Sequence, residues 1–179
     1  MINVMVLGAE HSCTRIICGF LHRHPDAGKI AHVSMPSSKG SFGDLEEIWK
    51  KYSIEKVVLV TRDRSANGLS MMRFSSMKES KGKELAGKPA AAATDFAISK
   101  MKPFLDNHQK DVVVVNIESL FQHKKLVLRQ TFSLLGLNPN VYPYDKEGKV
   151  TVGWFTVDLK VYDPNEKYFE GKKWPEAMG

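Results

Sequence analysis

Three short apolar runs, separated by helical patterns, constrain this chain more than any other feature. They are Asn3-Val4-Met5-Val6-Leu7, Lys56-Val57-Val58-Leu59-Val60-Thr61 and Asp111-Val112-Val113-Val114-Val115-Asn116-Ile117. Runs that are apolar at nearly every position, rather than at alternate ones, read as strands buried on both faces, as in a parallel sheet. Strands alternating with helices predict a three-layer α/β/α architecture with a mostly parallel central sheet.

The segments between them carry the helical signal. Ile16, Ile17, Phe20 and Leu21 recur at helical spacing in Ser12–His22, where Ser12 or Thr14 is a candidate N-cap and Pro25 and Gly28 a stop. Lys29–Val33 reads as a second strand and Pro36–Gly43 as a loop. Asp44 is placed to cap a helix running through Tyr52. Further helices are predicted from Ser65 or Asn67 to Met77, over Ala90–Leu105, and over His123–Leu135, which Gly136 ends as the C′ residue. Lys78–Pro89 is basic, holds Gly82 and Gly87 and lacks apolar periodicity, so it reads as a mobile lid or a solvated loop. Residues 138–179 form a C-terminal extension with a predicted hairpin over Val150–Thr156. The whole chain, 1–179, reads as one domain.

At 179 residues, 42% hydrophobic and 26% charged, the composition is that of an ordinary globular protein. No apolar run approaches the roughly 18 residues of a membrane helix, and no basic leader precedes Asn3, so a cytoplasmic setting is expected. Cys13 and Cys18 have neither the number nor the spacing of a disulfide framework or a zinc site. A net charge of +6 and a pI near 9.2 favour anionic partners.

In parallel sheets ligands sit beyond the carboxyl ends of the strands, which singles out the turns after Leu7, Thr61 and Ile117. The first reads Gly8-Ala9-Glu10-His11-Ser12-Cys13-Thr14-Arg15. A strand, this turn and then a helix start point main-chain N–H groups at one spot, where the helix dipole favours an anion. Ser12 and Thr14 add hydroxyls, Arg15 adds charge, and His11 adds charge when protonated. The second glycine and the lysine of Gly-x-x-x-x-Gly-Lys-Ser/Thr are missing, which speaks against a magnesium-dependent ATPase or kinase. The plainer reading is a strand-to-helix turn with a Ser or Thr cap.

With the second turn added, the pattern resembles the sulfotransferase family. Its loop of the type Lys/Arg-Ser-Gly-Thr-Thr/Ser is similar to His11-Ser12-Cys13-Thr14-Arg15, with His11 at the basic place and Cys13 where glycine is usual. The family's Arg-Asp-Pro-Arg after a later strand, with a serine on the next helix, is similar to Arg62-Asp63-Arg64-Ser65, with Arg64 in place of the proline and Ser65 in place of the second arginine, followed by Ser70, eight residues beyond Arg62. Val113–Leu120 and Leu128–Leu137 resemble a third segment, and Gly171-Lys172-Lys173-Trp174 resembles the family's basic nucleotide-binding loop.

The resemblance implies a P-loop-like fold and transfer of a sulfuryl group from 3′-phosphoadenosine 5′-phosphosulfate to a hydroxyl or amine acceptor, releasing adenosine 3′,5′-bisphosphate, with no metal. It implies that Gly8, His11, Ser12, Cys13, Thr14 and Arg15 hold the 5′ end and that Arg62 and Ser70 grip the 3′-phosphate. His11 would stand near the leaving oxygen. Glu10, His11 and His32 are candidate bases for the acceptor, ahead of Glu118, while His22, His24, His108 and His123 read as surface residues. Two other functions compete: a P-loop-type nucleotide or metabolite kinase, and a non-catalytic module binding nucleic acid or another polyanion through the basic stretch. No membrane partner is expected.

Overall fold

The computed structural model describes residues 1–35, 44–73, 91–142, 149–152 and 155–158. The predicted Pro36–Gly43 loop, the basic stretch Lys78–Pro89 and Gly171–Trp174 lie outside the described residues.

The elements run in the order β1 (Ile2–Ala9), α1 (Thr14–His22), β2 (Ala27–Met35), α2 (Leu45–Lys51), β3 (Lys56–Thr61), α3 (Arg64–Arg73), α4 (Ala91–Asn107), β4 (Val112–Asn116), α5 (Ile117–Gln122), α6 (Lys124–Leu134), β5 (Lys149–Val152) and β6 (Phe155–Asp158). The four long-range strands form one parallel sheet in the order β2-β1-β3-β4, and β5 and β6 pair antiparallel as the predicted hairpin.

β1 explains the layering. Val4, Met5, Val6 and Leu7 are all fully buried, because alternate side chains enter opposite faces. Val4 and Val6 join Ile16, Ile17, Phe20, Val58, Val115, Leu128 and Phe132, under α1 and α6. Met5 and Leu7 join Leu45, Val57, Met101 and Phe104, under α2 and α4. Each such side chain contributes about 1.5–3 kcal/mol on burial. Both faces of β1 are therefore closed by helices, as its apolar run requires, whereas at the edge strand β4 the face carrying Val114 stays open, with Val114 61% exposed.

Several helix boundaries differ from expectation. Cys13, not Ser12 or Thr14, is the N-cap of α1, with φ 64, ψ 25 and no side-chain cap bond. Asp44 does cap α2, accepting from the Glu46 amide at 3.0 Å. α3 starts at Arg64, one residue before Ser65 and three before Asn67, because the Asp63 carboxylate accepts from the Ala66 amide at 2.7 Å. α6 ends as predicted at Gly136, whose φ is +75. The Leu137 amide donates to the Phe132 carbonyl at 2.8 Å and the Gly136 amide to Ser133 at 3.0 Å, the bonds of a Schellman close.

β2 runs four residues beyond its predicted core of Lys29–Val33, since main-chain pairing with β1 carries it from Ala27 to Met35. The sheet order also places the site. β1 connects outward to β2 on one side and has β3 on the other, so the crevice between the carboxyl ends of β1 and β3 is a topological switch point, where ligands of open parallel sheets bind.

Candidate functional site

The turn after β1 folds tightly back on its own strand. A Cβ on Gly8 would lie 2.6 Å from Ser12 Oγ, 2.8 Å from Thr14 Cγ2 and 2.9 Å from the Val60 carbonyl oxygen, so only glycine fits. Ser12 is 1% exposed; its hydroxyl donates to the Ala9 carbonyl at 2.6 Å and its amide to the same oxygen at 3.1 Å. The Ser12 proton thus closes the turn. His11 and Cys13 both take positive φ, 64 in each case. A left-handed Cys13 followed by helical Thr14 turns successive amides into one concavity, the main-chain nest that suits an anion.

Two side chains from the neighbouring strand and helix hold this turn. Arg62, just past β3 and 5% exposed, donates from Nη1 to the His11 carbonyl at 2.8 Å. Asn67 of α3, 1% exposed, donates from Nδ2 to the Glu10 carbonyl at 2.9 Å. The guanidinium and the amide-rich turn therefore share one rim of the sheet.

On the opposite side of the turn a polar triangle forms. Thr14 Oγ1 lies 2.8 Å from His32 Nε2 and 3.1 Å from Ser34 Oγ, and those two are 3.1 Å apart. His32 pairs with Val6 in the sheet register, so it stands on the α1 face, three residues before the end of β2. Burial first, and the Arg15 guanidinium second, hold the imidazole below its ordinary 6.5, so it is neutral at pH 7.

Ser70 is fully buried, and its hydroxyl has no hydrogen-bond partner among the described residues. A buried unsatisfied hydroxyl costs about 1–3 kcal/mol. Ser70 lies on α3, which starts two residues after Arg62.

The structure is similar to the crystal structure of a sulfotransferase from Alicyclobacillus acidocaldarius, with a TM-score of 0.56 and 14% identity, over 80% of this chain and 84% of that one. The fold is sulfotransferase-like. A second neighbour is the mouse sulfotransferase SULT7A1 complexed with PAP, with a TM-score of 0.51 and 12% identity. That likeness covers 78% of this chain but only 61% of the mouse chain, so this chain matches less than two thirds of that protein. No protein-family model matches the sequence, nor does any curated protein.

Within the sulfotransferase-like fold the remaining candidates are dispersed. Arg15 is exposed on the outer face of α1. Glu118 is tied down by the Asp63 amide at 2.9 Å and Asn116 Nδ2 at 2.8 Å. His22 and His123 are exposed as expected, but two other histidines are not surface residues. His24 is 3% exposed, with Nε2 3.0 Å from the Asn138 carbonyl oxygen and its ring 4.7 Å from that of Phe132. His108 is half-buried between Trp49 and Phe104, with Nε2 3.0 Å from the Glu46 carboxylate. In both cases a distant partner supplies the cover.

Sequence reasoning missed Asn67 as a turn anchor, Thr94 as its support and Ser34 as a partner of Thr14. Two signals pointed to them. Asn is a poor residue for a helix interior unless its amide is engaged elsewhere. Ser34 lies two residues from His32, hence on the same strand face.

Proposed function

We propose that this chain is a sulfotransferase that binds 3′-phosphoadenosine 5′-phosphosulfate and passes its sulfuryl group to a hydroxyl or amine acceptor. The observation that carries this reading is the 2.8 Å contact from Arg62 Nη1 to the His11 carbonyl. It brings a buried guanidinium and a main-chain anion nest to the same rim, as a nucleotide phosphorylated at both ends requires. The orphaned Ser70 hydroxyl supports the 3′-phosphate end.

In this reading the amides of the Cys13–Thr14 nest, rooted by Gly8, receive the 5′ end, and the Thr14 hydroxyl adds a polar contact. Ser12 shapes the turn through Ala9 instead of donating to the ligand. Arg62 and Ser70 take the 3′-phosphate, the planar guanidinium matching two phosphate oxygens at once. The His11 side chain donates toward the oxygen that leaves with the nucleotide. Sulfuryl transfer, like phosphoryl transfer, proceeds through a loose transition state, so positioning and electrostatics supply most of the catalysis. His32, neutral at pH 7, has the protonation state needed to take the acceptor proton. Its hydrogen bond to Thr14 ties that base to the nucleotide site.

The direct test is incubation with 3′-phosphoadenosine 5′-phosphosulfate and a panel of alcohols, phenols, sugars and amines, following release of adenosine 3′,5′-bisphosphate. The reading expects release that depends on acceptor. Absence of any binding by either nucleotide would contradict it.

A further inference from the structure

The two peptide groups that flank His11 are each gripped by a buried side chain, and one of these grips is itself built from another helix. The Glu10 carbonyl accepts from Asn67 Nδ2 at 2.9 Å, and the His11 carbonyl accepts from Arg62 Nη1 at 2.8 Å. His11 between them has a φ of 64. A non-glycine residue pays roughly 1–2 kcal/mol for that conformation, so the turn keeps it only while its neighbours hold both peptides.

Behind Asn67 stands Thr94 in the first turn of α4. Its hydroxyl lies 2.9 Å from Asn67 Oδ1 and 2.9 Å from the Arg64 carbonyl. Thr94 and Asn67 are 4% and 1% exposed, so water does not replace either bond. The chemistry fixes the direction of the chain. The Glu10 carbonyl accepts only, so Asn67 must present its amide nitrogen there. Its oxygen then faces Thr94, whose single hydroxyl proton is shared between that oxygen and the Arg64 carbonyl. Reversing the amide would set two acceptor oxygens against each other in a buried place.

We infer that Asn67 and Thr94 are positioning residues for the phosphate turn. Thr94 orients Asn67, Asn67 turns the Glu10–His11 peptide, and a planar trans peptide so turned aims the His11 N–H away from α3. Neither residue touches the ligand in this arrangement. The preformed shape of the anion nest thus depends on how the start of α4 is docked against α3, a dependence that the exposed Arg64–Asp95 ion pair, joining the same two helices, reinforces. The ligand in this inference rests on the nucleotide reading above, whereas the anchoring itself rests on geometry alone.

The test compares wild type with Thr94→Val, Thr94→Ser and Asn67→Asp. Thr94→Val keeps the shape and removes the donor; Thr94→Ser restores it. Asn67→Asp turns an acceptor toward the Glu10 carbonyl. Two quantities are read: amide hydrogen exchange across residues 9–15, and affinity for adenosine 3′,5′-bisphosphate. The expected result is exchange faster by on the order of tenfold and confined to that turn in Thr94→Val and Asn67→Asp, with a loss of affinity of similar size, and recovery of both in Thr94→Ser. Unchanged exchange in the turn, or an equal rise across the whole sheet, overturns the inference. If wild type binds no bisphosphate, the nucleotide reading fails, and the exchange comparison alone decides the anchoring.

Discussion

The Arg62 guanidinium and the His11 main-chain carbonyl, 51 residues apart in sequence, meet at 2.8 Å. That single bond makes the end of β3 and the turn after β1 one structural unit. It also gives Arg62 two tasks in the proposed function, since the same cation that would hold a 3′-phosphate braces the turn that would hold the 5′ end.

Arg62→Ala is expected to weaken adenosine 3′,5′-bisphosphate binding by about 2–5 kcal/mol, as for other buried charge pairs. It should also lower stability by about 1–3 kcal/mol, because the His11 carbonyl loses a buried donor. Titration calorimetry and chemical denaturation of the folded variant check the two parts separately.

Ser70→Ala has opposite signs in the two assays. Removing a buried hydroxyl that lacks a partner is expected to leave stability unchanged or raise it by up to about 1 kcal/mol. The same change should weaken bisphosphate binding, while AMP binding, which involves no 3′-phosphate, stays as it was. A fall in stability with unchanged affinity would make Ser70 a packing residue.

The left-handed cap makes a third prediction. Cys13→Gly relieves roughly 1–2 kcal/mol of backbone strain and returns about 0.5–1 kcal/mol of chain entropy. The variant is expected to be neutral to about 1 kcal/mol more stable. Cys13→Val, with a β-branched side chain at φ 64, should be clearly less stable. Gly8→Ala should lose about 1–3 kcal/mol, because the added carbon meets the Val60 backbone at 2.9 Å. Thermal unfolding ranks all three.

Stability should also depend on pH through His32. Its folded pKa lies below 6.5, so between that value and 6.5 the unfolded chain binds more protons than the folded one. Stability is then fully present above about pH 6.5 and falls as the pH drops below it. Denaturation midpoints measured downward from pH 7 should show this slope, and His32→Gln should flatten it.

How much of this was legible in the sequence depends on the range of the contacts involved. The strands β1 and β3 were visible because both of their faces are covered, which leaves no polar alternation to confuse the pattern; β4 showed the same apolar run although it is an edge strand whose Val114 is 61% exposed. β2 was read too short because Lys29, His32 and Ser34 interrupt its apolar run, and only pairing with β1 defines its ends. The positive φ of His11 and Cys13 had no local signal, since the usual marker is glycine and neither residue is one. The Asn67 bond to Glu10 spans 57 residues and the His24 bond to Asn138 spans 114, so the roles of these side chains follow from the fold and not from their neighbours in sequence. The pairing of Arg62 with Ser70 came from the resemblance to the sulfotransferase family and not from a local signal in the chain.

The central claim is that two anion cradles on one rim recognise a nucleotide phosphorylated at both ends. Binding of adenosine 3′,5′-bisphosphate, AMP and ATP to the unmodified protein, measured side by side at one salt concentration, tests it most directly. The account predicts that the bisphosphate binds most tightly and raises the melting temperature well beyond the other two. Equal affinity for all three would contradict it.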